Sequence, residues 1–215
     1  MIKISNLKKT FKNGKVLYSD FNLTINSNEI TVILGGSGTG KTTLLNCIAG
    51  LTDYEGEISE ITPAIVFQEP MLLPNLTVKE NLKLVCKDEA RIEEILDKFE
   101  SKSKLDFYPK DISFGQSYRV SLARALLFDS DAILLDEPLS NLDLRLKYEI
   151  IEILKKEFKK KTVVYVTHDI DEALTIADRI IVLAKNAIKL DLKNKQGKFG
   201  EPNKNRDEII KALMN

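Results

Sequence analysis

Two patterns of apolar residues alternate along the chain. Residues 2–7 and 21–25 alternate apolar with polar side chains, which predicts strands that each bury one face. The pair Asn13-Gly14 between them predicts a turn. Four continuous apolar runs predict strands that are covered on both faces, as in a parallel sheet; these runs are 30–34, 132–135, 163–166 and 180–183.

Helical spacing of apolar residues fills the intervals between these runs. It is found at 41–49, 116–127, 142–158 and 169–177. Because strands alternate with helices, the chain is predicted to adopt an α/β fold with a mainly parallel core sheet. Residues 77–110 contain helix formers, many charges and no strand run, which indicates a small helical insertion.

The last thirty residues differ from the rest of the chain. From about residue 185 the sequence is rich in Lys and Asn, and it closes with a helical pattern near 207–214. We therefore expect a short, solvated C-terminal tail with one helix over 185–215, attached to a single domain that spans 1–215.

Composition narrows the choice of partners. Lys and Arg together number 32, as do Asp and Glu, so the net charge gives no reason to expect a nucleic-acid partner. Cys47 and Cys86 lack metal-ligand spacing and predict free thiols in a reducing compartment. No run approaches the roughly 18 to 20 apolar residues that span a bilayer. We expect a cytoplasmic protein whose membrane connection is made through a partner.

Residues 35–42 carry the strongest local signal. They spell Gly-Gly-Ser-Gly-Thr-Gly-Lys-Thr, which matches the phosphate-binding loop (P-loop) pattern at Gly35, Gly40, Lys41 and Thr42. Glycine lets backbone N–H groups curl around phosphate oxygens, and the following helix directs its positive end at the anion. Lys41 is expected to reach the β and γ phosphates of ATP, and Thr42 to bind Mg²⁺. The whole predicted ATP-binding loop consists of Gly35, Gly36, Ser37, Gly38, Thr39, Gly40, Lys41, Thr42 and Thr43.

Two acids follow the apolar run at 132–135. Asp136 is placed to hold Mg²⁺, and Glu137 to orient and polarise an attacking water, a role worth about 10² to 10⁴ in rate. Two surface acids at a turn would be the plain alternative. His168, the only histidine, follows the run at 163–166, at the end of a parallel strand where such sheets place their ligands. A lone histidine is more often structural, but this position favours a sensor of the γ phosphate.

Taken together, the motifs resemble those of the nucleotide-binding subunits of ABC transporters over residues 1–190. Gln68 is similar to the glutamine of the Q-loop, 112–116 (Ile-Ser-Phe-Gly-Gln) to the signature LSGGQ, and 139–143 to the D-loop. Phe11 matches the aromatic residue that stacks on adenine, although it could also simply cap the first sheet. The resemblance implies a P-loop ATPase with an N-terminal antiparallel β subdomain and a helical subdomain at about 77–127. It also implies catalytic roles for Glu137, His168 and Gln68, and Mg²⁺ ligands at Thr42, Gln68 and Asp136.

The resemblance further implies a head-to-tail dimer of like subunits around two ATP molecules. Each signature, formed by Ser113, Phe114, Gly115 and Gln116, would contact the nucleotide of the other subunit, and Asp143 of the D-loop is also expected to bind nucleotide. Ser113 is a good N-cap, and a helix N-terminus can receive a phosphate. Phe114 departs from the glycine that is usual at this place, which puts the signature-dependent rate of turnover in doubt.

Three classes of ABC protein are compatible with these motifs: importer subunits, exporter or lipid-extraction ATPases, and ABC ATPases that do not transport. The segments 168–183 and 68–82 resemble bacterial importers, the second most closely those of the nitrate, sulfonate and taurine group. An importer implies integral membrane permease subunits as partners, a solute-binding protein indirectly, and a location on the cytoplasmic face of the cell membrane. The transported solute has no signature in this chain.

Overall fold

The computed structural model describes residues 1–140, 142–184, 187–194 and 202–214. The strands are β1 Ile2–Thr10, β2 Val16–Ile25, β3 Ile30–Leu34, β4 Glu55–Ile58, β5 Pro63–Val66, β6 Ala132–Asp136, β7 Val163–Thr167, β8 Arg179–Ala184 and β9 Ala187–Lys193. The helices are α1 Lys41–Ile48, α2 Val78–Lys83, α3 Glu89–Lys98, α4 Phe114–Leu127, α5 Leu144–Glu157, α6 Ile170–Ile176 and α7 Pro202–Met214. Short 3₁₀ turns lie at Lys102–Lys104 and Pro109–Asp111.

The strands form two sheets. Three N-terminal strands pair antiparallel in the order β2-β1-β4. The six-stranded core sheet has the order β5-β6-β7-β3-β8-β9, and it is parallel except for β9, which runs antiparallel to β8. The predicted α/β fold, with a mainly parallel core sheet and an antiparallel N-terminal sheet, is confirmed.

The strand order brings three loops together. Strands β6, β7 and β3 are adjacent and parallel, so the segments after them leave the sheet at the same edge. Asp136 at the end of β6 pairs with Val166 of β7, and Leu34 at the end of β3 pairs with Thr167. Ligands of open α/β sheets bind outside these carboxyl ends.

Helices α2, α3 and α4 pack together on one side of the core sheet. Thr77 caps α2 and Ser113 caps α4, each within a capping box. The apolar faces of these helices belong to the same core cluster as β3 and β6, through side chains such as Val78, Leu96 and Leu122. The position of the signature at the start of α4 is therefore set by the packing of that helix.

Several predicted boundaries need correction. Helix α4 begins at Phe114 rather than at 116, because Ser113 supplies its N-cap. Helix α5 begins at Leu144, after its N-cap Asp143, rather than at 142. The short strands β4 and β5 were not predicted, since β4 is polar and β5 begins with a proline.

The described residues of the predicted C-terminal tail keep most of their charged side chains in solvent, but they form a strand and a longer helix than expected. Residues 187–193 form strand β9, whose Leu190 and Leu192 pack against the core cluster. Helix α7 begins at Pro202 rather than at 207, and its Ile209 is fully buried. In β9 the charged residues alternate with the apolar ones, so only one face of this strand is charged. Residues 185, 186, 195–201 and 215 of the predicted tail, and Asn141 of the D-loop motif, lie outside the described residues.

Candidate functional site

The P-loop connects β3 to α1, and two of its glycines have no room for a side chain. A β-carbon on Gly35 would lie 2.6 Å from the carbonyl oxygen of Leu183. Gly40 has φ +98°, and a β-carbon there would lie 2.5 Å from the hydroxyl of Tyr18. The loop conformation thus requires glycine at two of the four positions that define the motif.

Lys41, the first residue of α1, points back over this loop. Its side chain is only 5% exposed, and its Nζ donates to the carbonyl oxygen of Gly36 at 3.1 Å. The same Nζ lies 3.6 Å from Oε1 of Glu137. Burying an ammonium group costs free energy unless an anion lies nearby. Lys41 therefore favours the binding of an anion in the loop.

A cavity of about 370 Å³ opens in front of the loop. Its lining contains many of the predicted nucleotide-binding residues, together with Lys15 and Leu17, which the sequence analysis missed. It consists of Phe11, Lys15, Leu17, Ser37, Gly38, Gly40, Lys41, Thr42, Thr43 and Glu137. The predicted turn at Asn13-Gly14 could have placed Lys15 beside Phe11. The turn folds Lys15 back, and the Phe11 amide donates to the Lys15 carbonyl oxygen at 2.9 Å.

Thr42 and Asp136 form the candidate metal site. The Thr42 hydroxyl donates to Oδ1 of Asp136 at 3.0 Å. Burial raises the pKa of Asp136, while the hydrogen bond from Thr42 lowers it and the charge of Glu137 raises it further. A hydroxyl beside a carboxylate fits Mg²⁺, which takes few protein ligands and completes its octahedron with water and phosphate oxygens.

Glu137 stands between two groups that can carry positive charge. Its Oε2 lies 3.1 Å from Nδ1 of His168, and its Oε1 faces Lys41. The Glu137 amide donates to the carbonyl of Val166 at 2.9 Å, and its φ of +46° is unusual for a non-glycine residue. The backbone therefore aims this carboxylate at the cavity, where it can orient a water molecule and accept its proton.

Gln68 reaches Glu137 indirectly. Its Nε2 donates to Oγ of Ser140 at 2.8 Å, and this Oγ donates to the Glu137 carbonyl oxygen at 3.0 Å. Gln68 does not line the cavity, and its side-chain amide hydrogen-bonds to Ser140 rather than to Thr42 or Asp136. Ser140 is predicted from the sequence only as part of the D-loop motif at 139–143, although its hydroxyl is a usable signal of this contact.

The signature residues lie outside the cavity. Ser113 accepts from the amide of Gln116 at 3.2 Å, and the Gln116 side chain accepts from the Ser113 amide at 3.0 Å. Phe114 is 42% exposed and lines a separate groove of about 600 Å³ together with Met71 and other residues. A β-carbon on Gly115 would collide with Cδ2 of Leu146 in α5.

Asp143 also lies outside the cavity, where it accepts from the Leu146 amide at 3.0 Å as the N-cap of α5. Within one chain, the P-loop and the signature are thus separate sites.

Comparison with known proteins identifies the family. The model of the ABC transporter family matches residues 18–140. This chain belongs to that family. The nucleotide-binding resemblance seen in the sequence is thereby confirmed at the level of the family.

Several curated ABC proteins are similar along most of the chain. The Fe(3+) ions import ATP-binding protein FbpC of Fusobacterium nucleatum is 38% identical over 214 residues, covering 87% of this chain and 57% of the relative. The maltose/maltodextrin import ATP-binding protein MalK of Yersinia pestis is 40% identical over 205 residues, covering 85% and 55%. The aliphatic sulfonates import ATP-binding protein SsuB of Bacillus licheniformis is 38% identical over 193 residues, covering 82% and 75%. The chain spans somewhat more than half the length of the first two.

Solved structures of ABC cassettes share the fold. The dimeric structure of MJ0796, a bacterial ABC transporter cassette, has a TM-score of 0.79 and 32% identity, covering 91% of this chain and 99% of that one. The same values hold for its post-hydrolysis state bound to ADP and Pi. The structure of cbiO1 from Clostridium perfringens has a TM-score of 0.81 and 25% identity, covering 98% and 92%. Among the described residues of this chain, no helix is both long and apolar enough to cross a membrane.

Proposed function

We propose that this chain binds Mg-ATP in the cavity in front of the P-loop and hydrolyses it. One observation carries the proposal: the ends of β3, β6 and β7 bring Lys41, the Thr42–Asp136 pair and the Glu137–His168 pair to one place. A cation for phosphate, a hydroxyl and carboxylate for magnesium, and a carboxylate for water are the parts that phosphoryl transfer needs.

Each residue has a distinct role in this proposal. The loop amides and the N-terminus of α1 bind the phosphates, and Lys41 neutralises their charge. Thr42 and Asp136 hold Mg²⁺, which supplies charge neutralisation at the phosphate oxygens. Glu137 orients and deprotonates the attacking water, and His168 contacts the γ phosphate beside it. Gln68 acts on Glu137 through Ser140.

Turnover requires a second copy of the chain, arranged head to tail. Ser113 to Gln116 begin a capped helix whose N-terminus lies away from the cavity, as the proposed contact with a partner's nucleotide requires. The described dimeric cassette of similar fold is consistent with such an assembly. Each site would then take its P-loop from one chain and its signature and Asp143 from the other.

The ATPase would power solute import through separate permease subunits on the cytoplasmic face of the membrane. Relatives named as import proteins for iron, maltose and sulfonates support import over export, lipid extraction or a non-transport role. The sulfonate relative and the segment 68–82 favour the nitrate, sulfonate and taurine group. The iron and maltose relatives are equally similar, so gene neighbourhood or co-purified permease is needed to name the solute.

The Lys41→Ala variant tests the ATPase. Because Lys41 is the buried cation of the loop, we expect ATP binding and turnover to be lost, while the melting temperature stays within a few degrees. Lys87→Ala, which removes a lysine at the surface, is the control and should match the parent protein. Unchanged ATP turnover in Lys41→Ala would overturn the assignment.

The Glu137→Gln variant tests the dimer. It keeps the cavity but removes the base, so ATP should bind without turnover and hold the closed dimer. Light scattering with Mg-ATP should give about twice the 24.3 kDa chain mass, and the mass should return to that of one chain when Lys41→Ala is added. A single-chain mass for Glu137→Gln at saturating Mg-ATP would count against the head-to-tail scheme.

A further inference from the structure

The carboxylate of Glu172, in the first turn of α6, is buried and fully engaged. The residue is 6% exposed. Its Oε1 accepts from Lys147 Nζ at 3.1 Å, and its Oε2 accepts from the hydroxyls of Tyr165 at 3.1 Å and Thr167 at 2.8 Å. A buried charge of this kind is tolerated only when all of its partners are present, so loss of one partner leaves it uncompensated.

This network holds the residues on both sides of His168. The Thr167 hydroxyl donates to Glu172 and also accepts from the amide of Asp169 at 3.0 Å. The Asp169 carboxylate accepts from the Glu172 amide at 3.2 Å and lies 3.9 Å from Lys147 Nζ. The side chain of His168 is itself 57% exposed, so packing does little to fix its ring. The backbone at 167–169 must set its 3.1 Å approach to Glu137.

Lys147 connects the same network to α5. Its amide donates to the carbonyl of Asp143, the N-cap of that helix, at 2.9 Å. The neighbouring Leu146 packs against Gly115 at the start of α4, and Glu149 forms an ion pair with Arg119 of α4. Helix α5 therefore contacts the signature helix on one side and the His168 segment on the other.

We propose that Glu172 and Lys147 are positioning residues, which hold His168 in register with Glu137 and tie that register to α5. This inference rests on the proposed ATPase function, because its consequence is the rate of hydrolysis. Neither residue lines the cavity, so neither contributes to ATP binding directly. A change in the position of α5, the helix that begins at Asp143, would reach the hydrolytic pair through this ion pair.

The kinetic test uses Lys147→Met and Glu172→Gln. Both remove the ion pair with little change in volume, and we expect kcat to fall about tenfold while KM for ATP changes less than twofold. Lys147→Arg keeps the charge and should restore kcat to within twofold of the parent. Glu152→Gln on the same helix is the control, because its partner is the exposed Lys155 and it should leave both constants unchanged.

A second test reads the position of the imidazole directly. His168 is the only histidine, so its ring protons give a single identifiable set of NMR signals in protein without a histidine tag. In the parent protein, Glu137→Gln should shift these signals because the two side chains lie 3.1 Å apart. In Lys147→Met and in Glu172→Gln, the same change at Glu137 should shift them by less than half as much.

The two tests separate the inference from the proposed function. If the parent protein does not hydrolyse ATP, the proposed ATPase function is wrong, but the NMR result still reports on the position of His168. A full response to Glu137→Gln in both variants overturns the positioning role, whatever happens to kcat or to the melting temperature. If Lys147→Met fails to fold because it leaves the buried Glu172 carboxylate without its cation, Glu172→Gln decides the question alone, since it removes that charge.

Discussion

The hydroxyl of Tyr18 lies directly against Gly40, the N-cap residue of helix α1. A β-carbon at Gly40 would be 2.5 Å from this hydroxyl, and the Tyr18 side chain is fully buried. Within the described part of the chain the hydroxyl has no hydrogen-bond partner. Tyr18 of the N-terminal sheet therefore packs against the P-loop, and its hydroxyl leaves no space for a side chain at position 40.

Gly40→Ala should destabilise the protein by about 2 kcal/mol, because it adds strain at positive φ and a collision with Tyr18. Urea unfolding measures this loss, and ATP binding should weaken with it. Adding Tyr18→Phe removes the 2.5 Å contact but not the strain, so it should raise the stability of Gly40→Ala by more than it raises that of the parent protein. If the two gains are equal, the contact with the Tyr18 hydroxyl is not the cause.

Tyr18→Phe alone should stabilise the protein by about 1 kcal/mol, since it removes a buried hydroxyl that has no partner among the described residues. Burial raises the pKa of Tyr18, so its phenol stays neutral and cannot gain stability through ionisation. Tyr165→Phe is the matched control, because its hydroxyl donates to Glu172 and its loss should destabilise by about the same amount. Equal effects of both variants would refute this explanation.

Phe11→Ala should raise KM for ATP about tenfold with little change in kcat, because an aromatic ring that stacks on a base contributes about 1 to 3 kcal/mol. Phe11→Trp keeps a stacking surface and should stay near the parent value. Phe107→Ala removes a ring of similar exposure elsewhere and should leave KM unchanged. Steady-state kinetics distinguish these outcomes, and an unaltered KM in Phe11→Ala would favour a structural role in the first sheet.

Ser113→Ala and Ser113→Asn separate the two roles of the signature serine. Alanine removes the N-cap of α4 and should cost about 1 kcal/mol, whereas asparagine keeps a capping acceptor and should cost little. If the hydroxyl also contacts the partner's ATP, turnover should fall in both variants. Parent-like turnover in the stable Ser113→Asn variant would restrict Ser113 to capping.

Asp191→Asn should lower the free energy of unfolding at neutral pH, and this difference from the parent protein should vanish at acidic pH. Arg179 holds the pKa of Asp191 below its ordinary 3.8 by donating from Nε and Nη2 at 2.8 and 2.7 Å. A carboxylate whose pKa is lower in the folded than in the unfolded protein stabilises the folded state. This contribution is fully present at a pH above the unfolded-state pKa, and it disappears as the pH falls through the folded-state pKa. Thermal unfolding from about pH 7 to about pH 2.5 should show the curves of parent and variant converging. The exposed Asp129→Asn serves as the control.

The sequence predicted the central strands of the core sheet and their motifs better than it predicted the edge strand β9 and the C-terminal helix. The strands β3, β6, β7 and β8 are continuous apolar runs because both faces are buried, and the motifs that follow them are short and local. Strand β9 was not predicted, since its lysines alternate with the residues that pack inward, and helix α7 was predicted with a start five residues too late. The Glu172 network could not be predicted, because it depends on distances between three elements that no local pattern specifies.

The two edges of the core sheet have a consequence for assembly. One edge is β5, which begins with Pro63, and the other is β9, whose outward side chains include Lys189 and Lys193. Proline lacks an amide donor, and exposed lysines disfavour the approach of another strand. Both features disfavour pairing with a strand of a second copy at either edge of this sheet, and so they protect the protein against edge-to-edge aggregation.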